Sequence, residues 1–430
     1  MAALPILDEV RGSTGSPMLA GVAGRAKLDP PAIEPTFDDA ITMQSRERAA
    51  RRLSVYRGDA GTYLVDELEH LCRRSVEPNV FFNPRFLAPA MLRLEDKDIR
   101  FAVVRDFRDE ESRIRLLFPF SVEKPGLQFG PSIIRSWATP YGPLGTPLID
   151  SDDPVSVLED FFDMTARRHL NLPPVLVLPD MRSQGPVTAL FKTIAMGRNL
   201  PLHIHDRQQR PILKSPLDGE SYLRASIGAH HWRDHGRLRR KLEAQGHVTI
   251  EVARTQAEVL RAVEIFLSLE AAGWKGRERT AMAIDRFRAA FAREAIYSLA
   301  AEDRVRIHVL SVGGKPIGAM VVFVEAGIAY TWKTAYDEAY AKYSPGNMLL
   351  IELTKNHLDD PNIMVTDSCA VPDHPVMSRF WTEREAMETL IIGMSPAADR
   401  QARQVAKTMH LYRQTRDLAK RVRNAFFKRR

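Results

Sequence analysis

Between residues 305 and 353 the chain alternates short β-branched runs with glycine-bearing breaks, and this pattern constrains the fold more than any other stretch. Arg306-Ile307-His308-Val309-Leu310-Ser311-Val312 leads into the turn Gly313-Gly314-Lys315-Pro316. A second apolar run covers 317–324, Glu325-Ala326-Gly327 turns again, and Ile328-Ala329-Tyr330-Thr331-Trp332-Lys333 is a third run. Short glycine-bearing breaks between such runs predict hairpins. The loop 335–343 carries Tyr336, Tyr340 and Tyr343, then Ser344-Pro345-Gly346-Asn347 opens an apolar helix at Met348. Free N–H groups and the positive end of the helix dipole at such a junction predict a phosphate-sized anion pocket at the sheet edge.

The rest of the chain fits around this stretch as two α/β units, because 430 residues exceed the roughly 250–300 that one core usually holds. Residues 1–45, rich in Ala, Gly, Pro, Ser and Asp, are expected to be a flexible, disordered N-terminal arm. The first unit, 46–215, reads as helices over 64–74 and 86–94, then strands over 100–105 and 112–122. A Gly/Pro-broken stretch over 138–148, a helix over 153–170, a strand at 175–178, a helix over 185–197 and a strand at 202–205 complete it. The second unit, 216–396, has a basic helix pair over 222–245, a strand at 247–252, helices over 255–272 and 284–299, and the meander. A helix over 348–358, a strand at 363–367 and an apolar run at 389–394 follow. Thr255-Gln256-Ala257-Glu258 is a capping box. The two units repeat one element order, which predicts tandem related folds.

Charge separates the body from the tail. The net charge is +7, but residues 398–430 alone contribute +9, which leaves the other 397 residues at −2. A whole-protein nucleic-acid reading is thereby excluded. Within the tail, Leu411, Leu418, Val422 and Phe426 recur among basic residues, the pattern of a basic amphipathic helix suited to an anionic membrane surface. Cys72 and Cys369 make neither a disulfide framework nor a metal knuckle, which fits a reducing compartment. Asp8 and Glu9 interrupt the first residues, and no apolar run approaches the roughly 18 residues of a membrane span. The expected place is the cytoplasm, with peripheral attachment at the inner face of the membrane through the tail.

Several motifs together carry a family resemblance. They are Arg237-Leu238-Arg239-Arg240-Lys241-Leu242 before Gln245-Gly246, and Leu269-Glu270-Ala271-Ala272-Gly273-Trp274-Lys275-Gly276 at a helix end. Tyr336-Asp337, Tyr343-Ser344-Pro345-Gly346, Asp367 closing a strand, Trp381 beyond it, and Pro140-Tyr141-Gly142-Pro143-Leu144-Gly145 in the first unit complete the set. Over most of residues 60–395 the chain resembles the CelD/BcsL group of bacterial GNAT-type acyltransferases, which look like two GNAT folds in tandem. The resemblance implies transfer from acetyl-CoA or another acyl-CoA, without a metal, to a sugar or amine acceptor around cell-surface polysaccharide such as cellulose. It implies a pantetheine laid between splayed strands, with its pyrophosphate near Ser344, Pro345, Gly346 and Asn347. Ala341-Lys342-Tyr343-Ser344-Pro345-Gly346 keeps only the last position of the wider GNAT pyrophosphate pattern. FemAB-type enzymes, which resemble the same tandem fold, take aminoacyl-tRNA, and in that alternative the Arg-rich helix at 233–241 binds RNA. A non-catalytic module of a polysaccharide-synthesis complex is the third reading.

Acyl transfer needs a base for the acceptor proton, a polarised carbonyl and a proton for the leaving thiolate. Glu270 is the candidate base, Tyr336 or Tyr343 (with Tyr340 beside them) the candidate acid, and Asp367 a further catalytic candidate at a strand's C-terminal end. Trp274 and Lys275 are candidates for substrate contact. His231 and His235 have an i, i+4 metal spacing, but the Glu of the zinc-protease motif does not follow His231. Two residues rather than three separate His231 from Asp234, so the His-His-x-x-x-Asp acyltransferase signature is not met.

Overall fold

The glycine turns do what their sequence predicts. In the computed structural model, Val305–Val312, Lys315–Glu325 and Ile328–Tyr336 form an antiparallel meander. Gly314 and Gly327 hold φ of +79° and +78°, where a side chain is strained. The structure describes residues 37–41, 50–94, 98–108, 111–125, 130–372 and 374–427.

The meander lies one strand in from the end of a 14-stranded sheet, so the chain is a mixed α/β protein on one large sheet. From the N-terminal edge its order is Phe37–Ile41, Ala50–Arg57, Ile99–Arg108, Glu111–Glu123, Ile133–Ser136 and Val175–Arg182. Glu383–Gly393, Leu202–Leu213, Val365–Asp367, Ile328–Tyr336, Lys315–Glu325, Val305–Val312 and Val248–Ala253 continue it, and Leu148–Ile149 pairs with Glu111–Glu123 off this path. Strand alternation divides the core. Phe101 and Val103 face one cluster, while Ala102 and Val104 face another. Ala319, Val321 and Phe323 join the first, and Met320 and Val322 belong to a third on the opposite face. The first cluster runs across both halves of the chain: Phe86, on the helix Pro84–Arg93, places its ring 5.3 Å from Phe291 and 5.6 Å from Phe323.

The halves also exchange strands. Glu383–Gly393, late in the chain, lies antiparallel between Val175–Arg182 and Leu202–Leu213. Leu202–Leu213 in turn pairs with Val365–Asp367. Residues 35–430 accordingly form one compact unit. The strand expected to stop at His205 runs on through Asp206-Arg207-Gln208-Gln209-Arg210-Pro211, because its polar residues meet partners from both halves instead of a solvent loop.

Other elements depart from the sequence reading. Ahead of the helix expected from residue 64 lies a strand, Ala50–Arg57, whose Arg51 is buried and ion-paired to Asp160 at 2.7 Å and Asp106 at 2.8 Å. Of the arm expected over 1–45, only Phe37–Ile41 is described, and it is a strand; the remainder lies outside the described residues. The tail is the helix Asp399–Phe427. Ala402 and Val405 pack on Ile133, Val175, Val177 and Ile391, whereas Leu411 and Leu418 are exposed. The side chains of Val422 and Phe426 lie outside the described residues. No described helix is long and apolar enough to cross a membrane.

Candidate active site

Glu270 lies in the last turn of Gln256–Ala272 and is buried. The chain then doubles back so tightly that a Cβ on Gly276 would fall 1.7 Å from the Ala271 carbonyl oxygen, which fixes glycine there. Thr280 N–H donates to the Lys275 carbonyl at 2.8 Å, and Met282 N–H to Glu270 Oε2 at 2.8 Å. Lys275 Nζ donates to Glu270 Oε1 at 2.9 Å. Both carboxylate oxygens are therefore engaged, one bracing the reversal and the other holding the lysine. Glu338 Oε1 accepts from Trp274 N–H at 2.6 Å, and its Oε2 from Arg277 at 2.7 Å, which ties this turn to the segment after the meander.

Opposite this turn runs Ile328–Tyr336. It pairs with Val365–Asp367 only through Ile328, Ala329 and Tyr330. From Thr331 onward the edge facing away from Lys315–Glu325 has no strand neighbour among the described residues, so the sheet splays open. Val321 pairs with Lys333 and Val322 with Thr331, which leaves Trp332 as a bulge and re-aims its neighbours. The splay runs through the short turn Glu338–Tyr343 to Ser344, in left-handed backbone (φ 54°), and then to the helix Pro345–Asp359. Ser344 gives that helix no side-chain cap, and Pro345 has no N–H to satisfy. A Cβ on Gly346 would meet only Tyr336 Cδ1, at 4.0 Å, so this helix end is open beside Tyr336.

The turn and the strand flank an open cleft lined by Glu270, Trp274, Lys275, Thr334, Tyr336 and Glu338 among others. Four residues singled out from the sequence, Glu270, Trp274, Lys275 and Tyr336, thus meet in one place, with Gly346 adjoining through Tyr336. Trp274 is 49% exposed on its wall. Tyr343 is elsewhere: it is buried under Pro345–Asp359, its ring 6.2 Å from that of Tyr340.

Lys333 precedes the cleft-lining Thr334 and packs against Tyr141. Lys333 Nζ lies 4.7 Å from the centroid of the Tyr141 ring and 5.4 Å from that of Trp332. Burial, with the charges of Lys275 and Arg288, brings its ammonium down to about 8, against the pull of Glu270. Tyr141 arrives from the Gly/Pro-rich loop of the first half. Its carbonyl accepts from Trp332 Nε1 at 2.7 Å, and burial raises its phenol, aided by Glu270 and Asp285 and opposed by Arg288. The same loop is fastened by Asn79 Nδ2 to the Thr146 carbonyl (2.9 Å) and by Ser136 Oγ to the Gly145 carbonyl (2.7 Å). The sequence signal for Lys333 was only its place after a tryptophan in a strand, and its environment is set by residues almost 200 positions apart.

Asp367 is not in the cleft. It is buried at the exchange seam, with Oδ2 3.3 Å from Arg210 and 3.6 Å from Arg182, and Oδ1 accepting from Cys369 N–H at 2.8 Å. Arg182 also pairs with Glu77 at 2.9 Å, and Arg210 donates to the Pro143 carbonyl at 3.1 Å. Burial opposes both guanidinium charges, yet Asp367 helps keep each above its ordinary value. His231 and His235 lie on Ala229–Glu243, and no group of three or more His, Cys, Asp or Glu among the described residues is arranged to hold a metal ion.

Residues 229–362 match the family model described as an acetyltransferase (GNAT) domain. The match is under a third of the chain but includes the cleft, the splayed strand and the helix end. Among solved structures the chain is similar to the C-terminal domain of a putative lysylphosphatidylglycerol synthetase from Agrobacterium fabrum. Identity there is 11%, over 81% of this chain and 97% of that one, with a TM-score of 0.49. It is similar to FemX (10% identity, 77% and 96% covered, TM-score 0.49). It is also similar to a tandem GNAT protein from the clavulanic acid biosynthesis pathway (12% identity, 80% and 99% covered, TM-score 0.37). No protein of curated function matches the sequence.

Proposed function

We propose that the protein is an acyltransferase that takes an acyl group from acetyl-CoA or a longer acyl-CoA and passes it to an amine or hydroxyl. The observation that carries this reading is the free strand edge at 331–336, which runs into the open end of Pro345–Asp359 beside the cleft. The pantetheine lies along that edge, and the pyrophosphate accepts N–H groups around Gly346 and Asn347. The acceptor heteroatom attacks the thioester carbonyl, the new C–N or C–O bond forms, and the C–S bond breaks. The acceptor gives up a proton to water in the open cleft, and the thiolate gains one. Tyr336, on the cleft wall next to Gly346, supplies the second. Lys275 faces the reacting carbonyl, and Glu270 holds it there rather than serving as the base its motif implied. Trp274 forms the acceptor side. The cellulose-type polysaccharide acceptor rests on the CelD/BcsL resemblance alone. The exposed leucines among the arginines of Asp399–Phe427 support a cytoplasmic protein attached to an anionic membrane. Gly346→Glu tests the donor site, because the added side chain has open space and an acidic group suits a helix N-terminus. Calorimetric acyl-CoA binding is expected to vanish with an unchanged unfolding midpoint; equal binding by both proteins refutes the assignment.

One observation favours aminoacyl-tRNA as an alternative donor. Ala229–Glu243 exposes Arg233, Arg240 and Lys241 and packs against the turn Glu338–Tyr343 at the entrance of the proposed donor site. Salt-sensitive gel retardation of charged tRNA, with no heat from any acyl-CoA, would select this donor.

A further inference from the structure

We propose that Glu338 is a positioning residue, a strap across the cleft that holds the acceptor wall at Trp274 in place against the strand carrying Tyr336. The inference rests on the transferase reading and deepens it by naming what fixes the acceptor side. That wall is built on the helix Trp274–Arg277, only four residues long. Its N-cap is Gly273, which has no side chain to accept a bond, and the N–H groups of Gly276 and Arg277 both turn to the Gly273 carbonyl, at 3.0 and 3.3 Å. The Trp274 N–H is taken instead by Glu338, 64 residues further along the chain. Its Oε1 accepts from that N–H at 2.6 Å and its Oε2 from Arg277 at 2.7 Å, so one carboxylate grips both ends of the helix. A helix start whose N–H groups lose their acceptor frays, and here the fraying residue is the indole on the cleft wall.

Two carboxylates thus hold two neighbouring wall residues. Glu270, buried, fixes Lys275 and the return of the chain at Met282 from within the turn. Glu338 reaches Trp274 from the opposite wall, and its own place is set on the donor side. Asp337 accepts from Ala339 N–H at 3.0 Å, capping the turn Glu338–Tyr343, and pairs with Lys315 at 2.8 Å. The same turn runs on to Ser344 and the open helix end at Gly346. One side chain therefore sets the spacing between acceptor wall and donor loop. Its exposure separates this role from a purely structural one. The side chains of Glu338 and Arg277 are 34% and 63% exposed, and exposed pairs add little to global stability. Trp274 is half exposed, so the bond to its backbone, rather than core packing, sets where the indole stands.

The test reads both the bond and its consequence in full-length protein. Labelling with ¹⁵N-tryptophan reports the Trp274 amide, assigned by its loss in Trp274→Phe. Glu338→Ala is expected to speed hydrogen exchange at that amide about tenfold while the urea midpoint stays where it is. Glu338→Gln, whose carboxamide oxygen still accepts from Trp274 N–H, is expected to restore the protection. Transfer from acetyl-CoA is then compared for benzylamine, which offers a ring to the indole, and methylamine, which does not. The preference for benzylamine in kcat/KM is expected to fall about fivefold in Glu338→Ala, through KM, to the value of Trp274→Ala. Glu338→Gln is expected to keep it. Unchanged exchange at Trp274 in Glu338→Ala overturns the proposal. So does a preference that Trp274→Ala loses and Glu338→Ala keeps, and so does a urea midpoint lowered by Glu338→Ala, which makes the contact a structural one. The exchange readout needs neither donor nor acceptor, so transfer to neither amine counts against the transferase reading while the amide still decides the strap.

Discussion

The Glu270–Lys275 pair separates a positioning carboxylate from a catalytic one. Glu270 is 2% exposed in its side chain and Lys275 26%, with the charged atoms 2.9 Å apart. Breaking a buried pair by removing one partner costs about 3–5 kcal/mol, and exposed pairs are worth about 1 kcal/mol or less. Because the lysine is a quarter exposed, Glu270→Gln is expected to cost about 2 kcal/mol. The carboxamide oxygen still accepts from Met282 N–H, but its NH₂ group faces the ammonium. Lys275→Met alone leaves the buried carboxylate with one partner and should cost a similar amount. The double variant removes the mismatch and should recover more than half of the summed loss. Urea unfolding of the four full-length proteins gives the coupling, and steady-state acyl transfer gives the matching kinetic cycle. If Glu270 acts by holding Lys275, activity in the double variant falls no further than in Lys275→Met. A stable Glu270→Gln protein, losing under about 0.5 kcal/mol yet inactive with acyl-CoA binding intact, would refute the positioning argument and restore Glu270 as the base.

Other outcomes follow from the same geometry. His308 and His357 form a buried pair, ring centroids 6.1 Å apart, in which both nitrogens of His308 and Nε2 of His357 lack partners. Burial first, with repulsion from Arg306 on both and from His308 on His357, lowers His308 to about 4 and His357 to about 3, so below pH 6.5 the unfolded chain binds more protons and stability falls as the pH falls. His308→Phe should flatten that acid limb in urea midpoints measured from pH 7 to 4.5. Lys333, lowered to about 8 from 10.5, should make the wild-type midpoint rise between those pH values, and Lys333→Met should remove the rise. Phe86→Ala, which empties a fully buried ring position between the halves, should cost about 3–5 kcal/mol in the same assay. A fragment of residues 216–396 should lack dispersed amide signals, since Glu383–Gly393 would lose both strand neighbours; a folded spectrum would refute that dependence.

What the sequence determined by itself is local and periodic. Glycine positions set the meander turns, Thr255 and Glu258 set the start of a helix through their capping box, and Pro345 set the start of another. The turn Gly273-Trp274-Lys275-Gly276 and the tyrosine-bearing loop stand out as motifs along the sequence, and Glu270, Trp274, Lys275 and Tyr336 line one cleft. Only the tertiary structure decided which charges are compensated and where. Asp367 reads as a strand-end carboxylate, but strand exchange seats it between Arg182 and Arg210. Lys333 reads as an ordinary strand lysine, until the loop of Tyr141 covers it and Glu270 is taken by Lys275. Backbone preference acts over a few neighbouring residues, whereas desolvation and ion pairing depend on whatever the whole chain brings within a few ångströms. The first can be read along a sequence; the second exists only once distant strands have paired.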